Sequence, residues 1–311
     1  MTNPAIAGIP LVLGGNVFGW TADRDTSFAV LDAFYQAGGR MVDTADVYSA
    51  WVPGHVGGES ETVLGEWLAS RGVRAEMRIH TKTGMLAPGG GDPALFSPER
   101  IADSLQKSLD RLQTDYLDLY YAHRDYEELP AADIVAAFAS ATDGKVRSLG
   151  ASNFTAARLT ESLAAAKAAG TMPVTALQNE YNLVSREKYT ADLQAIAVAN
   201  GIAVLPFYGI ANGFLTGKYR SEADFGKSVR GGRMKELIVT GAPMLAAMDA
   251  IAADTGATLA QIALAWLVAQ PGIAAPIASA TKVEQVKDLC GMANLTLTGE
   301  QLASLDQAAP R

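Results

Sequence analysis

Eight short, mostly apolar runs recur along this chain, each followed by an amphipathic stretch of a dozen or more residues. Apolar runs alternating with helix-length segments are the pattern of βα units feeding a parallel sheet, whose strands are buried on both faces. The runs lie near 10–14, 40–44, 78–81, 116–122, 146–151, 174–178, 203–207 and 273–278. Eight such units match an α/β fold of the closed (β/α)8 TIM-barrel kind better than an open doubly wound sheet. No linker, charge block or low-complexity tract interrupts them, so residues 1–311 read as a single barrel domain.

The clearest helix falls at 98–112: Ser97 can cap it, Pro98 suits its first turn, and Ile101, Leu105, Ser108, Leu109 and Leu112 share one face. Stretches 155–169 and 259–269 read the same way. Two segments exceed the minimal unit: a long polar connection at 209–240 after the seventh strand, and helical material at 282–311 beyond the eighth. Long connections after barrel strands lie on the face where barrel active sites are built.

Composition removes several function classes. With 25 basic against 33 acidic side chains the formal charge is −8, and no basic stripe is available to neutralise a phosphate backbone, which argues against a nucleic-acid partner. The one cysteine, Cys290, excludes an intramolecular disulfide, and with only His55, His80 and His123, far apart in sequence, no zinc-type cluster is expected. A carboxylate metal site stays open. The first fifteen residues lack a basic n-region and carry only a short apolar run, so neither a signal peptide nor a membrane span is expected, and a cytoplasmic setting follows.

The familiar nucleotide motifs are missing. The glycine-rich turn after the first strand, Gly14-Gly15-Asn16-Val17-Phe18-Gly19, fails the G-x-G-x-x-G spacing, and the degenerate match at Gly89-Gly90-Gly91-Asp92-Pro93-Ala94 follows no strand directly and reads as a flexible loop. Gly226-Lys227-Ser228 resembles the end of a P-loop, but Ser221 occupies the place of its leading glycine. No G-x-S-x-G elbow occurs.

What does stand out is polar chemistry at strand ends. Asp43 closes the second strand, Tyr48 follows in its loop, Lys82 closes the third and His123 the fourth. Singly, each has a bland explanation: a turn cap, a solvated charge, packing, a satisfied polar group. Together they aim an acid, a cation, a phenol and an imidazole at one barrel mouth. A free phenol has a pKa near 10 and donates poorly at neutral pH; a neighbouring ammonium lowers it, and that ammonium needs a carboxylate to stay charged when desolvated. Such a set protonates an oxygen while something else adds to the carbon.

In residue type, order and spacing, Asp43, Tyr48, Lys82 and His123 resemble the catalytic tetrad of the aldo-keto reductase family, and the likeness runs from Leu13 to about Leu305. The resemblance implies that Tyr48 is the general acid toward a carbonyl or the base toward an alcohol, that Lys82 paired with Asp43 tunes it, and that His123 orients the substrate. It further implies a nicotinamide cofactor without a Rossmann fold. Ser152, Asn153 and Gln178 would hold the carboxamide and Phe207 would stack on the ring, while the segment from Gly213 to Tyr219, with Lys218, would run beside the pyrophosphate. Ser279, Lys282 and Gln285 would form the adenosine-phosphate end. The sequence departs there from the commoner pattern, with Thr281 in place of an arginine and Leu289 in place of an asparagine. Lys282 and the start of the following helix then favour NADP(H), with NAD(H) as the alternative.

The loop at 209–240 carries six cations, Lys218, Arg220, Lys227, Arg230, Arg233 and Lys235, against Glu222, Asp224 and Glu236; it reads either as a segment able to fold over a phosphate-rich ligand or, more plainly, as a charge-mixed surface loop. Val17, Phe18, Trp20, Trp51, Met85 and Tyr208 are the expected liners of an aromatic-rich substrate pocket, and the glycine-rich stretch 88–93 reads as an open, mobile rim. The expected substrate is a small carbonyl compound or alcohol. Two other classes remain at this stage: a regulatory or interaction subunit that keeps the barrel and binds nucleotide without turnover, and a barrel hydrolase or lyase using Asp43 and Glu59 as paired carboxylates. The oligomeric state is not legible.

Overall fold

The computed structural model of the chain describes residues 3–87, 89–142, 144–227 and 231–310, the Arg233 side chain excepted. Pro88, Ser228 and Arg230, which figure in the motifs above, lie outside the described residues.

Strands β1 (Val12–Gly14), β2 (Met41–Asp43), β3 (Arg78–Thr83), β4 (Leu119–Ala122), β5 (Leu149–Ser152) and β6 (Val174–Gln178) alternate with helices α1 (Arg24–Gln36), α2 (Glu59–Arg71), α3 (Pro98–Leu112), α4 (Ala131–Ala141) and α5 (Ala156–Ala169). Helix α6 (Ala191–Ala199) leads to β7 (Ala203–Val204). Then come α7 (Leu237–Thr240), α8 (Ala242–Thr255), α9 (Leu259–Val268) and β8 (Ile277–Ala278), with α10 (Val283–Cys290) and α11 (Gly299–Gln307) last. The helices start where the sequence supplies caps: the Ser97 side chain accepts from Arg100 N, and Thr258 with Gln261 forms a reciprocal capping box on α9.

All neighbouring strands pair in parallel, in the order β7-β6-β5-β4-β3-β2-β1-β8, giving a curled eight-stranded sheet. Its two edges are joined by hydrogen bonds from Val204 N to Gly272 O, Ala274 N to Val204 O and Ile277 N to Pro206 O. Prolines 206 and 276, which have no N–H to offer, shorten the seventh and eighth strands relative to the apolar runs that mark them.

Period-two alternation assigns each strand residue a face. Leu11, Leu13, Val42, Ile79, Tyr120, Ala151 and Leu177 belong to the core under the helices, whereas Val12, Met41, Leu119, Tyr121, Ala176 and Leu205 pack together in a separate cluster within the sheet. Carried one step further along each strand, the second set ends in Asp43, Lys82, His123 and Gln178. The sheet interior is tight: a Cβ on Gly150 would come within 2.3 Å of the Tyr121 ring. The opposite end is tied by Asp118, fully buried, which accepts from Ile79 N (3.0 Å) and pairs with Arg74 (2.9 Å) and Arg147 (3.1 Å). The N-terminal segment crosses this end, with His80 Nε2 2.9 Å from Ala5 O and Asn3 Nδ2 donating to Thr175 O at 2.9 Å.

The connection after β7 is less polar than its composition suggests. It contains 3-10 turns at Ala211–Thr216, Glu222–Lys227 and Gly231–Met234, and it buries Phe214, Leu215, Tyr219 and Met234. Among the described residues no single helix is long and apolar enough to cross a membrane, and no group of His, Cys, Asp or Glu has metal-binding geometry.

Candidate active site

Lys82 comes from the C-terminal end of β3 and is buried with all three ammonium protons used. Nζ donates to Asp43 Oδ2 at 2.5 Å, to Thr44 O at 2.8 Å and to Tyr48 Oη at 2.9 Å. Asp43 on β2 is equally occupied, because its other oxygen accepts from Gln178 Nε2 at 2.9 Å. The Tyr48 oxygen therefore serves as acceptor toward Lys82, which leaves its own proton free to point into the cavity that it lines. His123, following β4, faces the phenol edge-on with ring centroids 6.0 Å apart; its Nδ1 is buried without a partner, so Nε2 is the atom left for a ligand.

Electrostatics corrects one expectation. Burial dominates Tyr48 and pushes its pKa up to about 12; the Lys82 charge and hydrogen bond work downward but lose to desolvation and the Asp43 carboxylate. Thus, without a ligand, the phenol is held in its protonated form rather than made acidic. For Lys82, burial opposes the charge, yet Asp43 and Tyr48 together outweigh it and leave the ammonium above its ordinary value. His123 goes well below its ordinary value, first through burial and then through the Lys82 and Arg124 charges, so the imidazole is neutral at physiological pH.

These groups stand at one end of a cavity of about 770 Å³ that runs to the start of α10. The sequence matches the aldo/keto reductase family over residues 10–310. The chain belongs to that family. It is 31% identical to the uncharacterized oxidoreductase YrpG of Bacillus subtilis (strain 168) over 96% of this chain and 92% of that protein. It is 27% identical to the NADP(+) aryl-alcohol dehydrogenase of Phanerodontia chrysosporium over 93% and 77%, and 28% identical to a probable voltage-gated potassium channel β subunit of Arabidopsis thaliana over 87% and 83%.

In this aldo/keto reductase the cavity collects most of the residues singled out from sequence: Val17, Asp43, Tyr48, Trp51, Met85, His123, Ser152, Asn153, Gln178, Phe207, Tyr208, Lys218, Ser279 and Gln285 all line it. Asn153 has a left-handed backbone (φ 62°), which asparagine tolerates, and its Nδ2 donates to Ser152 Oγ at 3.0 Å and His123 O at 3.3 Å. Lys82 is buried behind Tyr48 rather than on the wall, and three further residues fall elsewhere. Phe18 is fully buried in the core, because the chain turns back on itself after β1 with Phe18 N bonded to Gly15 O. Trp20 stands behind the pocket wall, edge-on to Trp51 at 5.5 Å. Lys282 begins α10 exposed to solvent and off the cavity surface.

The phosphate-facing role expected for loop 209–240 is also weakened. Arg220 pairs with Asp249 at 2.8 Å and Lys227 with Asp224 at 2.7 Å, and among the described residues Lys218 is the loop cation that lines the cavity. The glycine-rich rim is tied down in part: Leu86 N bonds Gly90 O, Asp92 N donates to Tyr126 Oη, and Tyr126 in turn donates to Gly84 O at 2.6 Å.

Sequence inspection missed Asn16, Asn212 and Asp288. Asn16 Oδ1 accepts from Ser279 Oγ at 2.6 Å, and Asn212 Oδ1 is buried without a partner beside the cavity. Asp288 borders the far end, fixed by Thr258 and Gln261. A run of positive φ at Ala211, Asn212 and Gly213 is the physical sign of a loop bent around something, but only Gly213 advertises it in sequence.

Proposed function

We propose that this protein is a nicotinamide-dependent oxidoreductase that interconverts a small carbonyl compound and its alcohol, with Tyr48 as general acid and base. The observation that carries it is Lys82 Nζ held between Asp43 (2.5 Å) and Tyr48 (2.9 Å), with the phenol presented to the cavity. We take the whole chain as one closed (β/α)8 barrel, with the segment after β7 and the C-terminal helices completing the ligand face.

The residues fit a dinucleotide. Ser152, Asn153 and the free carbonyl of Gln178 match an amide, Phe207 offers a ring face, the orphaned Asn212 Oδ1 asks for a donor, and Lys218 and the start of α10 suit phosphates. When bound, the nicotinamide supplies or accepts the hydride. In reduction, Tyr48 gives its proton to the carbonyl oxygen, and the Lys82 ammonium, already bonded to the phenol oxygen, stabilises the phenolate as it forms. Asp43 keeps that ammonium charged in a buried position. Neutral His123 fixes the carbonyl through Nε2, and Trp51, Met85 and Tyr208 bound the substrate end and exclude water. In oxidation the phenolate takes the proton back. For cofactor preference we favour NADP(H) over NAD(H), with Lys218 on the cavity wall and Lys282, exposed just before α10, as the candidate cations for an additional phosphate.

The test is to mix the purified protein with NADPH or NADH and a panel of aromatic aldehydes, cyclic ketones and sugars. The expected result is a change in nicotinamide fluorescence and aldehyde-dependent oxidation of NADPH. Failure to bind either nucleotide would overturn the assignment.

A further inference from the structure

Next to the Tyr48 turn lies a second set of ionisable groups that the chemistry above does not use, fully buried at Glu61 and Tyr120 and half-buried at Asp46 and Arg111. Glu61, on the inward face of α2, is fully buried and completely bonded: Thr81 Oγ1 donates to Oε1 at 2.6 Å, and Arg111 on α3 donates to Oε2 from Nε (2.7 Å) and Nη2 (2.6 Å). Asp46 shares this pocket and receives none of that cation's hydrogen bonds. Its Oδ1 is buried without a partner, as is the hydroxyl of Tyr120 on β4. Two carboxyl groups thus face one guanidinium that is already bidentate to one of them. Thr83 and the Val47 N–H bond to Asp46, but no cation is bonded to it, so a carboxylate there would sit desolvated beside the Glu61 charge, and a carboxyl in that position favours keeping its proton.

Asp46 is also mechanically coupled to the reacting groups. Its backbone N–H bonds Lys82 O at 3.2 Å, continuing the β2–β3 pairing, and the turn bearing Tyr48 starts one residue before it, with Tyr48 N bonded to Ala45 O at 3.1 Å. The returning loop presses on it from outside, since a Cβ on Gly57 would sit 2.8 Å from Asp46 O. We propose that Asp46, in its neutral form, is a positioning residue that seats the Tyr48 turn against Lys82, and that its ionisation drives it from Glu61 and unseats the phenol, making turnover dependent on pH.

Burial, followed by the Glu61 charge, pushes Asp46 up to about 7, while Thr83 beside it and Arg111 pull the other way. The Tyr120 phenol, the remaining titratable group facing it, is raised well above its ordinary value and stays neutral. Tyr48 and Lys82 are held above the neutral range and His123 well below its ordinary value, so of these four groups Asp46 is the one that changes charge between pH 6 and 8; His55, in the loop that returns over Asp46, is the further titratable group nearby in the chain.

The inference rests on the carbonyl-alcohol assignment above, and the test separates the two. Titration of the Tyr48 proton itself would favour reduction at low pH and oxidation at high pH. Loss of a positioning contact lowers kcat in both directions as pH rises. The expected result is a fall of about tenfold in both kcat values between pH 6 and 8, the change in neutral fraction of a carboxyl titrating near 7. Asp46→Asn, which mimics the neutral form, holds the pH 6 rate up to pH 8. Independently of turnover, infrared difference spectroscopy of the cofactor-free protein should show a protonated-carboxyl C=O stretch at pH 6 that disappears by pH 8 and is missing from Asp46→Asn. Opposite pH trends for the two directions, an unchanged profile in Asp46→Asn, or no such band at pH 6 would each overturn the proposal. A band without turnover would instead remove the carbonyl-alcohol assignment.

Discussion

Gln178 on β6 reaches across the sheet mouth to Asp43 on β2, its Nε2 2.9 Å from Oδ1. With Lys82 on the other oxygen, both Asp43 oxygens are held by protein donors and the side chain is only 2% exposed. The carboxylate is therefore an internal support for the ammonium rather than a group that meets substrate.

Asp43→Asn should leave Lys82 as a buried, uncompensated cation. Removing one partner of a buried pair costs about 3–5 kcal/mol, so the urea midpoint should drop strongly. The parent's Lys82 is raised above 10.5, so the stability it contributes is fully present below that value and is lost only as pH rises through the higher folded value. In Asp43→Asn that loss should move to lower pH, as followed by Tm between pH 8 and 11. An identical pH dependence in mutant and parent would contradict this.

Tyr48→Phe should lower kcat by about 10²–10⁴-fold, the usual span for a general acid, while cofactor affinity stays nearly intact. In the cofactor-free protein, ultraviolet titration should find a parent-minus-mutant phenolate signal only near pH 12, because burial rather than Lys82 sets the balance. Equal turnover of mutant and parent would remove Tyr48 from the reaction.

His123 should stay neutral throughout the working range. Its imidazole ¹H–¹³C resonances should not shift between pH 6 and 8, since burial and two flanking cations hold its pKa far lower. A midpoint in that interval would show that the ring is hydrated or differently paired.

Trp51 sits edge-on to Tyr48 at 6.0 Å and is partly exposed on the cavity, whereas Phe207 lines the cavity beside Tyr208. Trp51→Ala should raise KM for aromatic aldehydes with little change in nucleotide affinity, and Phe207→Ala should do the reverse. An aromatic contact worth about 0.5–1.5 kcal/mol predicts changes of roughly two- to tenfold. Parallel effects of the two substitutions on both ligands would mean that the ends of the cavity are not separate.

The strand ends were legible because period-two alternation in apolar runs leaves few places for Asp43, Lys82 and His123 to point. The sign of the Tyr48 shift was not, because desolvation depends on what covers a side chain in space. Phe18 and Trp20 follow a strand as Trp51 does, and only the turn at Gly15–Phe18 decides that Phe18 points inward. Glu61 reads as one more helix-surface acid until α2 packs on α3 and encloses it with Arg111. Lys282 fails for the opposite reason: Thr281 and Gln285 touch the cavity, but Lys282, extended just before α10, is exposed to solvent.

The clamp at Asp118 lies at the end of the strands away from the chemistry and draws on Arg74, Arg147 and the backbone of Ile79. Nothing in that clamp contacts Tyr48 or the cavity wall. Loops transplanted onto the open end would thus inherit a foundation they need not support, and a lineage can exchange one substrate for another without renegotiating how the scaffold stands up.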